Sequence, residues 1–331
     1  MFLYSLAKKL DGIPGPGTTK WWAHRVSKGY GVCEEKFFPS GSVRSESDVP
    51  KLTISAEAYR NARTHRWVFA YQRLYSVNDL KRILVGRPCQ PPPLPSVCFD
   101  MFDGIYEAPG GYVSLPNNDQ HRINRHCVTV VGYNDADKVL RFMNSWGPDW
   151  GDEGTGYLPY EYFNRGLVPE SWAWFPITLC SRFRSLHVNR VFRDSTGERV
   201  RVWVSSIPPP AWGRPMLWVI DLHDREGALL GWAHASVYVN CDVTEIEELF
   251  VKPGYRRRGL ATVLIKQIIR IADYCITPIT RAWIPNQDIF TPDRLNTVRS
   301  FFRSVGFSVT WDGRRYSDFY SYKAERAITK R

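Results

Sequence analysis

The sequence predicts an α+β protein of two domains, drawn at 1–180 and 181–331. Three observations carry this reading. The chain has 331 residues, about twice the roughly 100 to 200 of an ordinary domain. In the first half the helix-period segments come before a run of strands joined by short turns, a pattern of helices beside an antiparallel sheet rather than a doubly wound parallel one. Charge also divides unevenly. Residues 1–180 carry 20 Lys+Arg against 18 Asp+Glu, and residues 181–331 carry 24 against 15, so almost all of the net +11 belongs to the second half.

Composition narrows the class. Hydrophobic residues are 44% and charged residues 23% of the chain, with 13 Trp, which suits packed cores and not a disordered or fibrous protein. No run approaches the roughly 18 apolar residues that cross a bilayer, so no membrane partner is expected. MFLYSLAKKL (1–10) is apolar before it is basic, the reverse of a secretory leader, and reads as the flank of a helix. Seven cysteines without a CxxC pair suggest neither a zinc cage nor a disulfide framework, hence no metal and a reducing, cytoplasmic setting. A basic half admits nucleic acid, a phosphorylated cofactor or an acidic partner. Nothing in the motifs requires nucleic acid.

The elements follow in order. TTKWWAHRVSKGYG (18–31) carries Trp22, Val26 and Tyr30 at helical spacing and stops at glycines. SVNDLKRILVGRP (76–88) has Ser76 to cap it, a stripe of Leu80, Ile83 and Leu84, and Gly86 and Pro88 to close it. QPPPLP (90–95) is a loop. Strands are expected at 96–102, 126–133 and 138–146, the last two joined by NDAD. The second half opens with strands at 187–192 and 198–207 around DSTG, a linker-like PPPAWGRP (208–215), two strands around DREG (224–227), another at 245–251 and a helix from about Gly259 to Tyr274.

The segment EIEELFVKPGYRRRGLATVLIKQIIRIADY (245–274) carries the most chemistry. A strand enters a basic turn, RRRGLA, which passes directly into a helix. Such a turn aims backbone N–H groups at an anion, helped by the helix dipole. Gly259 lets a phosphate approach the backbone, Ala261 keeps the next turn uncrowded and Arg256, Arg257 and Arg258 add positive charge. VKPGYRRRGLA (251–261) resembles the acetyl-CoA signature of the GNAT acetyltransferase superfamily, and RSFFRSVGF (299–307) resembles that family's last helix and its ending. The resemblance covers about 187–323 and implies a mixed-sheet domain. It also implies that acetyl-CoA is the cofactor, that the backbone of Leu249 and Val251 pairs with the pantetheine arm, and that backbone groups of Arg257, Arg258, Gly259, Leu260, Ala261 and Thr262 hold the pyrophosphate. An amine acceptor, small molecule or peptide, would attack the thioester with a base removing its proton. Glu245 and Glu247 share a strand face with Leu249 and Val251 and are the candidate bases. Where many relatives carry the tyrosine that protonates the leaving thiolate, this chain has Phe302, expected in the core. Tyr316, Tyr320 and Tyr322 are the substitutes to consider.

HCVTVVGYNDADKVLRFMNSWGPDWGDEGTGYLPYEYF (126–163) sets a His at the start of one strand and an Asn at the end of the next. An Asn on an imidazole fixes its tautomer for work on a thiol. These blocks resemble the papain-like cysteine peptidases, as does 17–39, and the resemblance spans about 1–176. It makes His126 the catalytic imidazole, Asn144 its orienting partner and Trp146 the shielding indole. The family's GxCWAF nucleophile helix and oxyanion Gln have no counterpart in these residues. Cys33 lies in the wrong segment and without a helix N-terminus to lower its pKa. Cys127 points to the face opposite His126. Asn124 and Arg125 stand where relatives have small residues and would crowd the cleft. The sequence therefore reads as an N-acetyltransferase fused to an inactive papain-like domain lacking its nucleophile segment. Two alternatives stand beside it, a pseudopeptidase that binds peptides and a cysteine peptidase whose nucleophile segment lies upstream of Met1.

Overall fold

A computed structural model of the chain describes residues 1–13, 15–42, 45–85, 93–117, 119–176, 190–207, 215–238, 241–285, 292–311 and 320–327. The elements run α1 (Phe2–Asp11), α2 (Lys20–Gly29), α3 (Ala56–Thr64), β1 (Val68–Leu74), α4 (Val77–Val85), β2 (Leu94–Phe102), β3 (Arg122–Asn134), β4 (Val139–Met143), β5 (Thr155–Pro159), α5 (Glu161–Asn164) and β6 (Glu170–Pro176). They continue with β7 (Arg190–Arg193), β8 (Arg199–Ile207), β9 (Met216–His223), β10 (Leu229–Tyr238), β11 (Val243–Val251), α6 (Leu260–Tyr274), β12 (Ile279–Pro285), α7 (Pro292–Ser304), β13 (Ser308–Trp311) and β14 (Tyr320–Ala327). The fold class is α+β with two sheets, as the sequence predicts. Most of the linker at 208–215, the Gly86 and Pro88 helix stop and residues 90–92 of the expected 90–95 loop fall outside the described residues. The rest of that stretch is not all loop, because Leu94 and Pro95 open β2 and pair with Trp174 and Ala173 of β6, Pro95 being tolerated at the second position of the strand.

The chain forms two compact units, one of Met1–Ala70 with Cys180–Arg331 and one of Tyr71–Leu179. The sequence reading divides the chain once, at 180, by family resemblance. Compactness divides it twice, because α2 buries one face on strands of the second half.

In the unit of Tyr71–Leu179, the sheet order is β1-β6-β2-β3-β4-β5, β1 entering from the other unit. Val97, Phe99, Val130, Phe142, Leu158 and Trp172 are buried in its core. Helix α4 packs on β2 and β3 through buried Leu80 and Ile83. Ser76 caps it as expected, its hydroxyl accepting from the Asp79 N–H at 3.2 Å.

In the other unit the sheet order is β13-β14-β12-β11-β10-β9-β8-β7. β11 and β12 run parallel, whereas β9, β10 and β11 form an antiparallel meander. Cross-strand register sorts the two faces, because side chains alternate along each strand. Asp221 opposes Trp232, and Trp232 opposes Phe250. On that face lies α2, with Lys28 Nζ 2.8 Å from Asp221 and the Trp22 ring 6.1 Å from that of Phe250. Trp218 opposes Ala235 on the other face, and there the Trp218 ring meets Tyr274 of α6 at 6.4 Å. Helices thus cover both faces of the sheet. The last residue of α2 has to be glycine, since a Cβ on Gly29 would sit 2.7 Å from the Trp232 ring. Trp22 and Trp232 are wholly buried, and burial of each such side chain stabilises by about 1.5–3 kcal/mol.

Candidate functional site

The first site lies where β11 leaves β12. Their parallel pairing runs from Val243 opposite Ile279 to Ile246 opposite Ala282 and stops there, although β12 continues to Pro285. At the same level the register with β10 shifts, His234 opposing Glu248 while Ala235 opposes Ile246. Glu247 is the extra residue of this bulge, and a bulge bends its strand. Beyond it, the Lys252 N–H donates to the Leu230 carbonyl at 2.9 Å. By antiparallel alternation the main chains of Leu249 and Val251 then face away from β10, toward the opened gap. Two of those groups are met internally. The Leu249 N–H donates to Glu248 Oε1 at 2.8 Å, and the Val251 carbonyl accepts from Arg256 Nε at 3.2 Å. What the strand still presents to the gap is the Leu249 carbonyl and the Val251 N–H, one acceptor and one donor at a spacing suited to successive amides.

The gap ends at the start of α6. A turn at Pro253–Tyr255 leads into Arg257 at φ 61 and Gly259 at φ 77. Gly259 caps α6 with no side-chain hydrogen bond. Left-handed Gly259 followed by right-handed Leu260 makes a nest of N–H groups, and those of Leu260, Ala261 and Thr262 are ones that an α-helix leaves open. The space above Gly259 is clear, since a Cβ there would meet nothing within 4 Å. The cradle therefore fits a pyrophosphate, and the open edge fits a pantetheine arm.

The three arginines have separate tasks. Arg258 turns away from the cradle to the β7–β8 turn, where its Nε donates to Asp194 Oδ2 at 2.6 Å and its Nη2 pairs with Glu198. The Ser195 N–H in that turn donates to the Arg258 carbonyl at 3.3 Å. Arg258 thus braces the turn and is not an open charge for phosphate. Arg256 is tied to Val251, while Arg257 is exposed.

Glu245 and Glu247 are both half-buried. Glu245 opposes Arg281 in the paired part of β11 and Glu247 sits in the bulge at the mouth of the gap. The bulge breaks the expected alternation, so Glu245 lies on the face of Glu248 and Phe250 and not on that of Leu249 and Val251. Phe302 is buried against Phe307 at 5.3 Å, as expected of a core residue. Tyr316 and the side chains of Tyr320 and Tyr322 lie outside the described residues.

Sequence reasoning missed Glu248. Its carboxylate is buried and takes Trp21 Nε1 at 2.6 Å, Arg25 Nη2 at 2.6 Å and Arg25 Nε at 3.1 Å. The Arg25 guanidinium also lies 3.5 Å over the Trp21 ring. The signal was present in α2, where Trp21 and Arg25 are four residues apart and so share a face. Lys252 was missed as well. Its ammonium lies 4.6 Å over the Tyr30 ring, and burial, then Arg66 and Arg63, bring it down to about 7.

The second site is in the unit of Tyr71–Leu179. His126 Nε2 and Asn144 Oδ1 are 2.8 Å apart. The same Asn144 atom accepts from the Ser145 N–H at 2.8 Å, so it is oxygen, and His126 Nε2 must be the donor. Nδ1 is then the basic nitrogen. Trp146 stacks on the imidazole at 4.7 Å and 26°, and Phe99 meets it edge-on at 6.0 Å. The Asn144 N–H donates to the Gly154 carbonyl at 2.9 Å, which fixes the loop. Arg125 does not crowd this imidazole. Its Nε donates to Asp100 Oδ1 at 3.0 Å, which places it on the face opposite His126. Cys33 is buried after α2, and burial raises its thiol, the reverse of a nucleophile's need. Cys127 neighbours His126 on β3, hence on the other face. Among the described residues no His, Cys, Asp and Glu group is arranged to hold a metal ion, and no helix is long and apolar enough to cross a membrane.

Residues 191–284 match the model of the acetyltransferase (GNAT) family, so this segment carries a GNAT acetyltransferase domain. Over 154 residues the chain is 29% identical to an uncharacterized peptidase C1-like protein of Acanthamoeba polyphaga mimivirus, covering 43% of this chain and 47% of that protein. The chain thus spans about half the length of that curated relative. Among solved structures it is similar to xylellain, a cysteine protease from Xylella fastidiosa, at 24% identity and TM-score 0.45 over 52% of this chain and 68% of that one. It is also similar to the PaiA N-acetyltransferase of Thermoplasma acidophilum in complex with coenzyme A, at 19% identity and TM-score 0.27 over 34% and 61%.

Proposed function

We propose that the chain is an acetyl-CoA-dependent N-acetyltransferase acting on an amine acceptor, with a papain-like segment that does not cleave peptides. The observation that carries it is the opening of β11 from β12 toward the uncapped start of α6. Bound acetyl-CoA would supply an activated acetyl thioester. The N–H groups of Leu260, Ala261 and Thr262 would take its pyrophosphate, and the Leu249 carbonyl and Val251 N–H its pantetheine amides. Glu247 at the mouth of the gap, or Glu245 one strand step deeper, would take the proton from the attacking amine. A cytoplasmic setting belongs to the same reading.

Calorimetric titration of the full chain with acetyl-CoA tests the proposal. Gly259→Asp should abolish binding, because a carboxylate and a Cβ would meet the pyrophosphate. Arg257→Ala should weaken it only a few-fold, since an exposed arginine contributes modestly. A folded wild-type chain that binds no acetyl-CoA would overturn the reading.

The intact His126–Asn144 pair favours a second reading, a cysteine peptidase that gains its thiol from a segment outside these residues. The present chain should then show only background cleavage, since losing one member of a catalytic unit forfeits nearly all its rate. Alkylation-sensitive cleavage of a peptide library that disappears in Cys33→Ser or Cys127→Ser would place the nucleophile within the chain instead.

A further inference from the structure

We propose that Cys98 and Cys127 are a reversible disulfide site across β2 and β3. They are direct cross-strand partners, flanked by Ser96 opposite Thr129 and Asp100 opposite Arg125. Directly opposed residues leave a sheet on one face as neighbours, and the Asp100–Arg125 contact at 3.0 Å shows that such partners do meet on this face.

The backbone fixes the kind of pair. The Asp100 N–H donates to the Leu167 carbonyl at 2.9 Å, away from β3. Asp100 and Arg125 are therefore a non-hydrogen-bonded pair, and so, two residues along, are Cys98 and Cys127. Such pairs hold their Cα atoms about 4.5 Å apart, inside the roughly 4.4–6.8 Å that disulfides span. Their Cβ atoms stand somewhat wider than the ~3.8 Å a relaxed bridge prefers. A bond closed there is strained, and strained bonds of this kind are the readily reduced ones.

Exposure sets the order of events. Both thiols are reduced, Cys127 exposed and Cys98 buried at 7%. With a small-molecule disulfide as oxidant, the Cys127 thiolate attacks one of its sulfurs. That S–S bond breaks, a mixed disulfide forms and one small thiol leaves with a proton. The Cys98 thiolate then attacks the Cys127 sulfur and displaces the second small thiol with its proton. The cysteine pair loses two electrons and the oxidant gains them. Phe99 and His126 are the adjacent cross-strand pair, so the bond would lock the register that carries the imidazole.

Oxidised glutathione added to the full chain, followed by alkylation and non-reducing tryptic mapping with fragmentation of the linked peptides, tests this directly, because Arg122 and Arg125 place the two cysteines on separate peptides and fragmentation tells Cys98 from Cys89 on the same one. The expected product is a Cys98–Cys127 cross-link that dithiothreitol reverses. Cys127→Ser, an exposed and conservative change, should leave Cys98 without adduct, and Cys98→Ser should leave Cys127 as a glutathione adduct. Wild-type protein that carries a glutathione adduct at Cys127 and no cross-link, or that links either residue to another cysteine, would overturn the proposal.

Discussion

Lys252 shows how much one side chain can report. Its ordinary value near 10.5 falls to about 7 in the fold, chiefly through burial, then through Arg66 and Arg63, with Asp224 opposing. Tyr30, beneath the ammonium, is pushed up to about 12, mainly by burial, and stays neutral throughout. Between pH 7 and 10.5 the unfolded chain holds a proton that the folded chain has released, so stability rises with pH across this window. Below about pH 7 both states hold it and the slope ends. The urea midpoint of the wild type should climb from pH 7 to 9.5, and Lys252→Met should remove that climb while unfolding later at pH 7. A second test concerns Arg257, whose φ of 61 is costly for a residue with a Cβ. Arg257→Gly should be about 0.5–1 kcal/mol more stable in denaturant melts. The sequence shows the charge and the glycine of the cradle. It does not show that Arg258 is spent on Asp194 and Glu198, because those partners lie some sixty positions away.

Among the elements, α2 and β11 form the joint that alternation alone could not locate. Period-two reading puts Glu245 and Glu247 on one face and passes over Glu248, which α2 engages through Arg25 and Trp21. Removing one partner of a buried ion pair costs about 3–5 kcal/mol, whereas replacing both by apolar groups is often neutral. Arg25→Met should thus lose several kcal/mol in urea unfolding, and Arg25→Met with Glu248→Leu should recover most of it. If the two changes simply add, the pair does not act as a unit. The His126–Asn144 pair was legible for the opposite reason. A strand, a four-residue turn and a strand are local, so spacing alone brings the two side chains together, 2.8 Å apart.

For the whole molecule, the boundary was the least legible feature. Helical spacing at 18–31 is plain, yet periodicity says that a face is apolar and not what covers it. The resemblance of 17–39 to peptidases assigned that helix to the first half, and its packing assigns it to the sheet of the second. A segment beginning at 190 would therefore expose Trp232, Phe250 and the Glu248 carboxylate. It is expected to be insoluble or molten alone, and co-expression of residues 1–70 should restore a soluble complex with dispersed amide resonances. A well-folded 190–331 segment by itself would show that α2 is dispensable.

Trp21 and Glu248 stand 227 positions apart in the chain. At the ribosome's pace of about 5–20 residues per second, roughly 11 to 45 seconds separate the emergence of α2 from that of β11. Through that interval the peptidase-like unit can be translated and folded entire, while α2 waits with two tryptophans and an uncompensated guanidinium exposed. The helix made near the beginning is among the last parts to be seated.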